Sequence, residues 1–149
     1  MGYYMRYLIE DDRTISLDLV ESALKRIDAG YNLTARNEEK EFADLMLGPD
    51  VYGELEIGRR GSDPMDEELG ELAAEVADAQ DGRVERVQSL LTAARAMVVV
   101  RVLSQGRESE ATLDRIAPLW DWLFKEYRGL LQADGEGYYD VNGEVLRIE

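Results

Sequence analysis

The chain has 149 residues, 45% hydrophobic and 33% charged, and its 17 basic against 32 acidic residues leave a net charge of −15. That much apolar material fills the core of one domain, read as 1–149, while the charge disfavours nucleic-acid phosphates and anionic lipid heads as partners. Cys and His are both absent, which excludes a thiol nucleophile, a disulfide framework, a Ser-His-Asp triad and any metal held by His or Cys.

The opening "YYMRYLI", Tyr3 to Ile9, is aromatic and apolar ahead of a charged "EDDR", and predicts a strand ending in a turn. It lacks the apolar core of a signal peptide, and no run reaches the ~18 apolar residues of a membrane span, so a cytoplasmic location is the expectation. In "SLDLVESALKRIDAG", Ser16 can cap a helix whose buried stripe is Leu17, Val20, Leu24 and Ile27, with Gly30 just past its end. "YNLTA" and "VYGELEI" alternate apolar and polar residues as half-buried strands do, and "EFADLMLGPD" between them supplies the first arm of a hairpin turning at "GPD".

"GRRGSDP" breaks this pattern and opens a helix, with Asp63 as N-cap and Pro64 in the first helical position. "PMDEELGELAAEVADAQ" then places Met65, Leu69, Leu72 and Val76 on one face, and "RVERVQSLLTAAR" does the same with Val84, Val87, Leu91 and Ala94. Residues 97–103 are β-branched and apolar on both sides, which predicts a central strand buried on two faces. A further helix, "SEATLDRIAPLWDWLFKEY", carries a stripe of Leu113, Ile116, Trp120, Leu123 and Tyr127 with a bend at Pro118. A strand "GLLQAD" and a C-terminal β-hairpin follow.

The resulting order, β-α-β-β-α-α-β-α-β-β with neither repeat nor linker, predicts an α+β fold. Its helices pack on a mostly antiparallel sheet that begins with the split β-α-β of ferredoxin-like proteins.

Three features carry possible chemistry. The first is "DGEGYYDVNGE", where Asp134, Glu136 and Asp140 offer a metal site. A helix-loop-helix calcium loop counted from Asp134 meets Tyr138 and Tyr139 where an oxygen ligand and a glycine are required, and Val145 where the closing Glu belongs. The preferred reading is a hairpin with Asn142 and Gly143 as a type I′ turn, pairing Tyr139 with Leu146 and Tyr138 with Arg147, after a bulge or bend at "DGEG".

The second feature is Arg59 and Arg60, which precede a helix N-terminus and could hold an anion; local pairing with nearby carboxylates is the simpler expectation. The third is the acidic helix. Between Pro64 and Gly82 stand Asp66, Glu67, Glu68, Glu71, Glu75, Asp78 and Asp81 with no basic residue, and Glu67, Glu71, Glu75 and Asp78 form a ridge. Like charges four residues apart cost about 0.2–0.5 kcal/mol per pair, a cost that a basic partner relieves.

Trp120 and Trp122 lie about 200° apart on a helix, so Trp122 is off the buried stripe and becomes a candidate contact residue. The leading expectation is a non-catalytic, cofactor-free module that works by protein contact. It would act as a homodimer or against a basic partner such as a toxin or enzyme it restrains. The alternative is a carboxylate- or Mg²⁺/Ca²⁺-dependent enzyme or ligand-binding domain.

Overall fold

A computed structural model describes residues 3–79 and 82–148. Among them the chain forms β1 (Tyr3–Ile9), α1 (Leu17–Ile27), β2 (Tyr31–Asn37), β3 (Phe42–Leu47), β4 (Asp50–Arg59) and α2 (Asp63–Ala77). There follow α3 (Val84–Ala93), β5 (Ala96–Val102), α4 (Ser109–Glu126), β6 (Gly129–Ala133), β7 (Gly137–Asp140) and β8 (Gly143–Arg147). The α+β class expected from the sequence is what folds. All eight strands join one open antiparallel sheet in the order β2-β3-β4-β5-β1-β6-β7-β8.

Three strands follow α1 and three follow α4; the expected order counted two in each place, although the segments named from the sequence, hairpin arms included, number three in each. The opening also differs from a ferredoxin-like start. β1 and β2 are parallel, but β3, β4 and β5 lie between them, because α1 carries the chain to the far edge of the sheet. β1 and β5 form the central pair. Each leads into a helix on the same face and then into a three-stranded meander on the opposite flank, an arrangement that strand periodicity along one chain does not encode.

β5 is buried on both faces as expected. Val98 and Val100 pack under α1 and α4, while Met97 and Val99 pack under α2 and α3. Ser16 caps α1, its hydroxyl accepting the Leu19 N–H at 3.1 Å, and Leu17, Val20 and Leu24 are buried beneath it. Ile27, expected on that stripe, is 54% exposed because the helix ends there, beyond the reach of the sheet.

Two local expectations are corrected. The N-cap of α2 is Ser62 rather than Asp63, since the helix already includes Asp63; Asp66 turns back to accept the Gly61 N–H at 3.0 Å. The terminal hairpin turns at Val141 and Asn142, one residue earlier than the Asn-Gly pair suggests, and Gly143 (φ 125°) opens β8. Tyr138 therefore pairs with Leu146, and a bulge lets Val145 and Leu146 face the same apolar cluster. "DGEG" forms the turn of the β6–β7 hairpin, with Ala133 paired to Gly137. No helix among the described residues is long and apolar enough to cross a membrane.

Candidate functional site

The two faces of the sheet are covered unequally. Under α1 and α4 the apolar cluster draws residues from β1 through β6, whereas the cluster under α2 and α3 contains no residue of β2, β3 or β4. The alternation of each strand fixes what the uncovered half presents. One cross-strand row runs Thr34, Asp44, Glu54 and Arg101 to Tyr4 at the margin of the α2/α3 cluster; the next is open at Phe42 and Glu56 and then passes under or beside the helices through Val99, Arg6, Gln132 and Tyr138. Helix α2 borders these rows, with Glu68 reaching down to the sheet.

The cations in these rows are already engaged. Arg6, with a side chain only 12% exposed, donates through Nε to Glu68, and through Nη1 to Gln132 at 2.7 Å and Asp134 at 2.8 Å. Burial works against the Arg6 charge, but the hydrogen bonds to Glu68 and Asp134 outweigh it and hold the guanidinium above its ordinary value. Arg101 pairs with Glu54 at 2.7 Å, and this bond likewise raises its value.

Among the described residues, Asp44, Glu56, Glu67, Glu71, Glu75 and Asp78 have no ion-pair partner. Asp44 stands directly across the ladder from Glu54, a like-charge pairing that works against the sheet. Burial, with the Glu68 charge nearby, pushes the Glu56 carboxyl up. Asp81, counted in the acidic segment, and Gln80, the last residue of the expected helix, lie outside the described residues.

Tyr138 sits at the inner end of this region, its hydroxyl buried without a hydrogen-bond partner. Burial raises its pKa, and Glu75 adds to the effect. Glu136, at the same end of the sheet, accepts from the Tyr3 hydroxyl and from the Tyr139 hydroxyl at 2.9 Å.

The structure disperses the other sequence candidates. Asp134 serves Arg6, Glu136 serves Tyr3 and Tyr139, and Asp140 bonds Arg86 at 3.1 Å and the Asn142 N–H at 2.8 Å. No group of three acidic side chains among the described residues is gathered closely enough to hold an ion. Arg59 forks onto Glu41 at 2.8 and 2.6 Å and reaches the Ile15 carbonyl at 2.7 Å. Arg60 closes the C-terminus of α3, donating to the Ala94 carbonyl and to that of Leu91 at 2.7 Å. The ridge residues Glu67, Glu71, Glu75 and Asp78 are all exposed. Trp120 is buried, while Trp122 is half-buried on the other side of the sheet, edge-on to Tyr127 at 5.7 Å.

Sequence reasoning missed the Arg6 cluster, whose partners lie 62 to 128 positions away. The available signal was a lone arginine inside an apolar strand, which calls for a counter-charge once buried. No family model, curated protein or solved structure matches this chain.

Proposed function

We propose that the protein is a non-catalytic binding module that holds a basic protein through the acidic half-face and the α2 ridge beside it. The observation carrying this reading is the imbalance of pairing. Arg6 and Arg101 are neutralised within the chain, whereas Asp44, Glu56, Glu67, Glu71, Glu75 and Asp78 remain unpaired on or beside one surface. Asp44 opposite Glu54 and the ridge charges four residues apart lower the stability of the free protein, and a partner's lysines and arginines would remove that cost on binding. Such complementarity speeds encounter and rejects acidic competitors. A toxin or enzyme restrained in the cytoplasm fits this role; nucleic acids and anionic lipid surfaces do not.

The test is affinity capture at low and at physiological salt, with wild-type protein beside the double variant Glu71→Lys/Glu75→Lys, both positions being exposed. The expected result is retention of basic proteins by the wild type, weaker at higher salt and lost with the variant. Equal retention by both forms would rule the ridge out.

A further inference from the structure

The opposite side of the molecule has a different surface. Helices α1 and α4 run antiparallel, since each returns the chain between parallel strands and those two strand pairs oppose one another. Along their outer seam lie two hollows of about 610 and 650 Å³ that share Arg26, Trp122 and Glu126. The apolar part of the seam is Leu19, Ala23, Ile27, Pro118 and Trp122. Leu19 is 41% and Ile27 54% exposed, so the apolar stripe of α1 extends past what the chain covers by itself.

The charged lining comprises Arg13, Arg26 and Lys125 against Asp12, Asp121 and Glu126, three of each sign. The chain as a whole carries a net charge of −15, so this lining is less acidic than the chain average. Only Arg13 and Glu126 pair with one another; Asp12, Arg26, Asp121 and Lys125 have no ion-pair partner among the described residues.

We propose that the α1/α4 seam is the contact surface of a homodimer, in which two copies pack seam to seam about a two-fold axis. An isologous interface sets a patch against itself, so it tolerates charge only where both signs are present together. Two copies of this acidic chain repel wherever the surface is uniformly negative, and the seam supplies an apolar centre within a balanced rim, the anatomy of a specific interface. The acidic half-face lies across the sheet and stays outward in both copies. The proposal therefore stands or falls independently of the basic-partner reading.

The test is sedimentation of the full chain at physiological salt over a micromolar-to-millimolar series. The wild type is expected to dimerise. Arg26→Glu/Lys125→Glu makes the seam acidic and Asp12→Lys/Asp121→Lys makes it basic, and each is expected to weaken self-association by more than about tenfold. An equimolar mixture of the two variants is expected to recover a dimer. Ile27→Glu, at a position already largely exposed, is expected to give monomer with an unchanged circular dichroism spectrum and a melt that no longer depends on protein concentration. In the wild-type dimer, acrylamide, a neutral quencher, is expected to quench Trp122 less than in either variant. A wild type that stays monomeric throughout, variants that remain dimeric, or a mixture that fails to associate would each overturn the proposal.

Discussion

Helices α1 and α4 bury residues from six strands on one side of the sheet, while the α2/α3 cluster on the other draws residues from five and none from β2, β3 or β4, with Met65 reaching β4 at Gly58. The strands crossing the boundary show what this difference requires of a sequence. In β4, Leu55 and Ile57 point to the covered side and Glu54 and Glu56 to the open one. In β1, Tyr7 and Ile9 join the larger cluster, whereas the other side changes from Leu8 inside the α2/α3 cluster to Arg6, held by Glu68 of α2, and to Tyr4, which is only partly buried at the cluster's margin. Burial is rigidly specified where a helix lies. Where none lies, residue choice is free to serve something else, and here it concentrates negative charge that stability alone does not call for.

The contrast can be broken most severely from the covered side. Leu119 on α4 is completely buried against the sheet, and Leu119→Ala is expected to cost about 2–5 kcal/mol in chemical denaturation, because a packed interior closes poorly over a lost side chain. A loss below that range would mean that the α1/α4 layer can settle onto the sheet, and that it is looser than its burial indicates.

Next in size is Arg6, a mostly covered charge at the boundary. Arg6→Met keeps the apolar stem and removes the charge, taking the arginine donor from Glu68, Gln132 and Asp134 and leaving Asp134 only the Gln132 amide at 3.2 Å. The expected cost is about 1–3 kcal/mol, the penalty for stranding partly buried acceptors. An unchanged melt would show that these carboxylates find water as easily as they find the arginine.

Tyr138 sharpens the comparison in the other direction. Its hydroxyl is buried and unpartnered, so Tyr138→Phe is expected to stabilise the protein by about 1 kcal/mol. A destabilisation would mean the hydroxyl has a partner after all. Burial also holds Tyr3, Tyr7 and Tyr138 above the ordinary tyrosine value. Their contribution is therefore complete below roughly pH 10 and is lost as pH rises toward their folded values. Tyrosinate absorbance followed beside circular dichroism is expected to show these rings ionising together with unfolding, and Tyr138→Phe should soften the alkaline loss.

The smallest expected effect belongs to Glu56. Its raised carboxyl value means that the ionised form is disfavoured in the folded state. The cost is absent below roughly pH 4.3 and grows as pH climbs through the raised value. Glu56→Gln should raise the melting temperature slightly at neutral pH and leave it unchanged in acid. An equal shift at both pH values would assign the effect to packing.

Periodicity along the chain was sufficient for the α+β class, the capped start of α1, the faces of α2 and α3, and the doubly buried β5, because each depends on residues a few positions apart. The exposed ridge of Glu67, Glu71, Glu75 and Asp78 and the off-stripe position of Trp122 were legible for the same reason: a helix with one apolar face must turn the other outward. Turn placement was less secure. Asn142-Gly143 suits a tight turn in isolation, yet burying both Val145 and Leu146 against α2 and α3 displaced the turn by one residue. Only the tertiary structure decided which strands became neighbours, how far α1 carried β2 from β1, and that β2, β3 and β4 would stay outside the α2/α3 cluster. It likewise brought Arg6 to Asp134 across 128 positions of chain and set Asp44 opposite Glu54. The physical reason is that local patterns report which face of an element is apolar, whereas pairing partners are chosen by competition among all such faces for one core.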